Sequence, residues 1–255
     1  MLNIVIPMAG RGSRFADAGF TDPKPLIPLG GRPMIQWVID NIRPARAHRF
    51  IFICLAAHLE TYPEVPATLR RLAPGCEIIT VRTVTEGAAC TVLLARNLIA
   101  NDDPLMIANS DQFVEVDIDA YLAAGDATRL SGHIMTFNSD HPKWSYCRLA
   151  PDGHITEVVE KRVVSHEATV GIYNFRRGAD FVAAAETMIK RDLRVNGEFY
   201  VAPAYNLMIE AGQVIVPVNI EQPGRAAMHG LGTPDDYSAF QLTEAFRRSA
   251  RAAHA

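Results

Sequence analysis

The stretch that most limits how this chain can fold is residues 4–34, IVIPMAGRGSRFADAGFTDPKPLIPLGGRPM. Ile4, Val5 and Ile6 form a short β-branched run, the pattern of a strand buried on both faces. The run leads into Met8-Ala9-Gly10-Arg11-Gly12-Ser13-Arg14. Gly10 and Gly12 let backbone N–H groups approach a bulky anion with no Cβ in the way. Arg14 adds a forked cation that suits phosphate oxygens. Further on, Asp22-Pro23-Lys24-Pro25 sets one lysine between two prolines. Each ring fixes its own φ and biases the preceding residue towards extended geometry, so Lys24 is expected on a stiff segment. A stiff lysine beside a glycine turn and an arginine suits a polyphosphate.

A glycine pair with a serine is common punctuation, and it lacks both the Gly-Lys-Ser/Thr ending of a P-loop and the third glycine of a dinucleotide fingerprint. The combination of strand, glycine turn, arginine and Pro-Lys-Pro is more specific. It resembles the nucleotidylyltransferase family that makes nucleotide sugars and related activated headgroups. That motif reads Gly-x-Gly-Ser/Thr-Arg, a spacer, then Pro-Lys. Gly10, Gly12, Ser13, Arg14, Pro23 and Lys24 fill every position.

At 255 residues the chain suits one large α/β domain or two small ones. A formal charge of −3 argues against a nucleic-acid binder, which normally carries a broad basic surface. Arg11, Arg14 and Lys24 can still supply a local positive cluster for a small anion. Cys54, Cys76, Cys90 and Cys147 show no Cys-x-x-Cys pair, so neither a disulfide framework nor a zinc site is expected. The chain opens on a strand rather than a signal peptide, and no apolar run approaches the roughly 18 residues of a membrane span. The expectation is a cytoplasmic protein with no membrane partner.

Strand-like and helix-like patterns alternate through the first half: strands at 4–6, 50–55, Glu77–Val81 and Leu105–Ala108, helices at 33–42, 66–73 and Gly87–Leu98. This order predicts a parallel sheet with helices on both sides and ligands outside the carboxyl ends of the strands. Both the glycine turn and Asp111 fall at such ends. From about residue 130, short strands at 132–137, 146–149, 154–160 and 168–175 are separated by polar turns and read as antiparallel ribbons. Helices at Gly178–Arg191 and 201–211, a strand at Val214–Val218 and a last helix from Thr233 complete the pattern. The fold class is α/β. It reads as a single Rossmann-like domain over 1–255, with a mostly parallel central mixed sheet flanked by helices and antiparallel ribbons on the acceptor side. Residues 1–130 form a nucleotide half, and 131–255 an acceptor half with the C-terminal helix.

Asp111, one step past a buried strand and preceded by Asn109-Ser110, can hold a hard cation with few protein ligands, as Mg²⁺ prefers. The resemblance implies that Asp111 is the Mg²⁺ ligand. It also implies a second aspartate just before the Gly232-Thr233-Pro234 turn, where this chain has Gly230. His229 is a poor ligand for hard magnesium, and Asp235 and Asp236 are in the first instance helix-start acids.

The resemblance gives the remaining positions their roles. Ala9, Gly10, Gly12, Ser13 and Arg14 bind the triphosphate, and Arg14, Lys24 and Asp111 are the catalytic set. The segment Glu86-Gly87-Ala88 holds the base, and Glu160, Lys161, Gly171 and Glu198 hold the acceptor. Glu86 stands where the family typically has Gln. A carboxylate only accepts hydrogen bonds, so a side chain facing the base would favour an exocyclic amino group and lean towards CTP. The implied activity is transfer of a nucleoside monophosphate from an NTP to a phosphorylated small molecule, most often a sugar 1-phosphate, with release of pyrophosphate. The alternatives are a cytidylyltransferase for a non-sugar phosphomonoester, a glycosyltransferase of similar fold, and a nucleotide-binding module without turnover. A homo-oligomer is left open.

Overall fold

The computed structural model describes residues 1–10, 12–222 and 226–252. Its centre is a nine-stranded mixed sheet. Leu2–Met8 lies between His48–Leu55 and Leu105–Ala108, parallel to both, and Glu77–Val81 extends the parallel set beyond His48–Leu55. Glu167–Phe175 then joins antiparallel to Leu105–Ala108, pairing Ile172 with Ala108 and Phe175 with Leu105. It carries the hairpin Ser145–Leu149/Ile155–Glu160 near one end and Gly132–Asn138 along its other edge, to which Ile215–Asn219 adds in parallel.

The continuous apolar runs are explained by what covers them. Along the central strands Val5, Ile51, Ile53 and Ile107 face one helical layer, built from Ala88–Leu93, Arg96–Ile99, Gly178–Lys190 and Ala204–Glu210. Their neighbours Ile4, Ile6, Phe50, Phe52 and Met106 face the other, built from Met34–Ile42, Glu64–Leu72 and Ile118–Ala127. Alternate side chains enter opposite cores, so no polar face is required.

A third apolar cluster positions the site. Phe15, Ile27, Leu29, Met34 and Trp37 from the early stretch pack with Phe113, Leu231 and Phe240. The indole N–H of Trp37 donates to the Leu29 carbonyl at 2.8 Å, and its ring stacks on Phe246 at 5.1 Å. Gly30, at φ +57°, leaves room for that Phe246 ring, which a Cβ would meet at 2.8 Å. The glycine-turn segment, the residues after Asp111 and the C-terminal turn are thereby held as one piece.

Two expected helices are interrupted. The helix expected over 87–98 is Ala88–Leu93 followed by Arg96–Ile99, because the buried Ala95 is reached by a tighter turn in which its N–H bonds to Val92. The last helix divides into Pro234–Gln241 and Glu244–Ala252, where the Thr243 hydroxyl accepts from the Phe246 N–H and caps a new start. Lys24 opens a 3-10 turn, Lys24–Leu26, rather than an extended segment, and the extended residue is Pro23. Residues 253–255 lie outside the described residues. Among those described, no helix is long and apolar enough to cross a membrane.

Candidate active site

The strand Leu2–Met8 ends at Ala9-Gly10, and Gly12, at φ +65°, begins the short helix Ser13–Asp17. Phe15 anchors that helix by meeting Phe20 and Tyr237 edge-on at 5.2 and 6.4 Å. A Cβ on Gly12 would lie 3.5 Å from the Cβ of Lys24, so the glycine turn rests directly against the lysine's base. The Lys24 ammonium then reaches across to Asp111, with Nζ 2.6 Å from Oδ2. The pair is 21% and 31% exposed, wet enough to exchange partners yet shielded enough to matter electrostatically.

Asp111 is held from two sides. The preceding Asn109 N–H donates to the Gly171 carbonyl at 3.1 Å, and the Asp111 carbonyl accepts from the Leu231 N–H at 2.7 Å. Gly232 follows, and a Cβ there would fall 2.9 Å from Asp111 Oδ2. The turn is glycine because the carboxylate occupies the space of a side chain. Gly230 is next to a carboxylate too: its Cβ would lie 3.2 Å from the Asp236 carboxyl carbon. Asp236 Oδ2 accepts from the Thr233 hydroxyl at 2.8 Å, and Thr233 caps the Asp236 N–H. The His229 Nε2 bonds Glu115 at 2.9 Å and is fully engaged there, with Arg248 on the other carboxylate oxygen.

Around the Lys24–Asp111 pair lies a cleft of about 730 Å³ at the carboxyl ends of the parallel strands. Of the residues singled out in the sequence, it is lined by Ala9, Gly10, Gly12, Lys24, Gly87, Ala88, Asp111 and Glu198. Ser13 and Arg14 do not line it. Both sit exposed on the short helix, and Arg14 has no ion-pair partner among the described residues. Arg11 lies outside the described residues. The sequence reading did not identify His58, Thr61 and Tyr62, which close the side after His48–Leu55. Their only signal is a position just past a strand end.

Gly87 carries the clearest backbone signature. Its φ is +136°, and a Cβ would lie 2.4 Å from the Phe199 carbonyl oxygen. Phe199 bonds to this segment twice, its N–H to the Glu86 carbonyl at 2.9 Å and its carbonyl from the Ala89 N–H at 3.0 Å. Thr85 Oγ1 donates to the Gly87 carbonyl at 2.9 Å and lies 2.5 Å from Thr91 Oγ1. The Glu86 carboxylate, 67% exposed, pairs with Arg194 and does not line the cleft. The Glu86 carboxylate, expected to face the base, is turned to Arg194 in this arrangement.

The residues expected on the acceptor side come from three places, Glu160 and Lys161 being neighbours. Glu160 ends a strand, accepts from the Ser145 hydroxyl and is half-buried. Burial raises its carboxyl above the usual range, the Ser145 hydrogen bond and Lys161 lower it, and Glu198 pushes it up again. Lys161, at φ +54°, donates to the Tyr200 hydroxyl at 2.6 Å, a bond that raises the lysine's own pKa. Glu198 follows the tight turn Asn196-Gly197, where both residues have positive φ and the flanking Val195 and Glu198 exchange backbone hydrogen bonds. Gly171 sits at the register shift between Thr169 and Tyr173, at φ +94°, with Asn109 Nδ2 2.2 Å from where its Cβ would be. Only Glu198 of these four reaches the cleft. Arg194, which holds Glu86, carried no sequence signal, whereas Tyr200, which holds Lys161, ends the segment 196–200 that resembles the one closing over the acceptor.

All four cysteines are free. Burial pushes the Cys54 thiol up to about 12 and the Cys147 thiol higher still, so neither offers a thiolate. Among the described residues the cleft is lined by one lysine, Lys24, by the carboxylates of Asp22, Asp111 and Glu198, and by the glycine backbone of Gly10, Gly12 and Gly87. That is an arrangement for gripping phosphates.

The fold and the cleft together define an α/β enzyme of the phosphate-gripping kind, with its ligand beyond the carboxyl ends of parallel strands. Comparison with known proteins places it further. The family model for nucleotidyl transferases matches residues 4–210, and the chain belongs to that family. The chain is 23% identical to the bifunctional protein GlmU of Methanococcus maripaludis over 223 residues, which cover 84% of this chain and 48% of that protein. It is 27% identical to the same-named protein of Burkholderia lata over 222 residues, 84% of this chain and 46% of that one. The chain thus spans about half the length of these curated relatives. Among solved structures, a nucleoside-diphosphate-sugar pyrophosphorylase from Vibrio cholerae superposes with a TM-score of 0.78 at 26% identity, covering 94% of this chain and 100% of that one. The UDP-glucose pyrophosphorylase of Acinetobacter baumannii shares the fold, with a TM-score of 0.70 at 17% identity and 98% coverage of each chain.

Proposed function

We propose that the protein transfers a nucleoside monophosphate from an NTP to a phosphorylated small molecule, most often a sugar 1-phosphate, and releases pyrophosphate. The observation that carries this reading is the Lys24–Asp111 pair at 2.6 Å, set in a large cleft whose near wall is Gly10 and Gly12. In this reading residues 1–130 handle the nucleotide and 131–255 the acceptor, within a single domain.

The acceptor's phosphate has its second pKa near ~6 and arrives ionised, so no protein base is needed. Its oxygen attacks the α-phosphorus in line. The amides of Gly10 and Gly12 hold the triphosphate, and Ser13 and Arg14 close over its distal end from the short helix. Lys24 turns from Asp111 to the α-phosphate and takes up charge that grows in the transition state. Backbone groups of Thr85 to Ala88 face the base. Lys161 receives the acceptor's phosphate, while Glu160 and Glu198 take hydrogen bonds from its hydroxyls and Gly171 contributes to the acceptor side through the close packing of its backbone on Asn109.

The residues present fit Mg²⁺. Asp111 offers a hard oxygen ligand at the cleft wall, and no group of three or more candidate metal-binding side chains occurs among the described residues, which suits an ion that keeps most of its waters. Held by Asp111 with water and triphosphate oxygens, and with Asp236 the nearest carboxylate to Gly230, the ion would supply positive charge to the leaving pyrophosphate.

The lean towards CTP rests on Glu86 alone, and the pairing of that carboxylate with Arg194 leaves it without a contact to support it. The free thiols support a reducing, cytoplasmic setting. A pyrophosphate-release screen of four NTPs against a panel of phosphomonoesters tests the proposal. It is upheld by release that needs both substrates, and fails if no pair gives release while nucleotide still binds.

A further inference from the structure

At the opposite end of the sheet lies a second hollow, about 430 Å³, of the size that takes a small organic ligand. It opens where Leu2–Met8, Leu105–Ala108 and Gly132–Asn138 begin and Glu167–Phe175 ends, so the length of the strands separates it from the cleft. Arg46, Arg129, Arg176 and Arg177 line it, against Asp102 and Asp126. Arg46 is committed to Asp126, and Arg177 to Asp102 and Asp180. Arg129 and Arg176 have no carboxylate partner among the described residues, and the guanidinium of Arg176 is brought to Arg129 by its bond to the Arg129 carbonyl. Two uncompensated guanidinium groups thus adjoin one concave space.

Two further features belong to the wall of the hollow. His133 lines it at 7% exposure, and its Nε2 has no hydrogen-bond partner. The Nε of Arg46 is likewise buried and unpaired. Both atoms are shut off from solvent behind the wall, so the groups left to meet an occupant are the arginines that line the hollow. Gly125 makes way for the His133 ring, since a Cβ there would lie 2.2 Å from it. Arg129 itself follows the end of the helix Ile118–Ala127 at φ +57°, a conformation that Asn or Gly would adopt more easily.

We propose that this hollow binds a phosphate group, with Arg129 and Arg176 as the paired donors, at a site separate from the catalytic cleft. A phosphate dianion matches two forked cations. Nothing in this assignment depends on which reaction the cleft carries out.

Calorimetric titration of the full chain with inorganic phosphate, and separately with ribose 5-phosphate, tests it. Wild type and Lys24→Ala should both bind, while the double variant R129N/R176Q should bind at least about tenfold more weakly and keep wild-type pyrophosphate release. Because Asn suits the backbone at position 129, Arg129→Asn alone serves as the variant least prone to misfold. Its thermal melt should match or exceed that of wild type. Tighter binding of ribose 5-phosphate assigns the hollow to a phosphorylated metabolite, and tighter binding of inorganic phosphate assigns it to the free ion. Either upholds the site. The proposal is overturned if wild type binds neither probe, if Lys24→Ala abolishes all binding, or if both arginine variants bind as wild type does.

Discussion

The parallel end of the sheet and its antiparallel flank are built in different ways. At the parallel end, Gly10, Gly12 and Lys24 come from one short stretch, and Asp111 meets them because its strand is the immediate neighbour of Leu2–Met8. On the flank, Glu160, Lys161, Gly171 and Glu198 come from a strand end, a left-handed residue, a register shift and a tight turn, and only one of them reaches the cleft. The first region is a local motif carried by a regular sheet. The second is an assembly of irregular backbone, and irregular backbone is where families vary their substrates.

That contrast can be broken by substitution. Asp111→Ala should have the largest effect, lowering kcat by about 1000-fold, because it removes both the proposed cation ligand and the ion-pair partner of Lys24. A Mg²⁺ titration of pyrophosphate release should show that excess metal does not restore it. Gly171→Ala should destabilise the fold by about 2 kcal/mol in urea unfolding, since φ is +94° and Asn109 Nδ2 occupies the space the methyl needs. An unchanged midpoint would show the flank to be more pliable than its geometry implies. Lys161→Met should raise KM for the acceptor about tenfold with kcat and the KM for NTP nearly unaltered, the signature of lost uniform binding. Equal effects on both substrates would place Lys161 in the nucleotide region instead. Glu86→Gln should change the preference among NTPs by less than about threefold, because the carboxylate is exposed and pairs with Arg194. A larger switch in base preference would return Glu86 to a base-reading role.

The same contrast accounts for what the sequence disclosed. Strand and helix positions in the first half were legible because side chains such as Ile51 and Phe52 enter opposite cores, giving uninterrupted apolar runs. Lys24, Asp111 and Gly87 were legible from strand ends and glycines, and Gly87 is glycine for a reason the backbone shows, the approach of Phe199. The direction of Glu86 was not legible, since its partner Arg194 is 108 residues away. The same holds for Asp236 beside Gly230, where a capping acid read from local sequence also stands next to the position of a missing side chain. Long-range pairing of exposed charges leaves no periodic trace along the chain. The short helix meets the cleft through Ala16, while Arg14 is exposed on another side of it.

The central claim is that Lys24 stabilises charge on the reacting phosphate rather than merely pairing with Asp111. Steady-state pyrophosphate release by Lys24→Ala, measured beside NTP binding by equilibrium dialysis, tests it most directly. The account predicts a fall in kcat of at least about 100-fold with NTP affinity reduced far less. Turnover within a few-fold of wild type would contradict it.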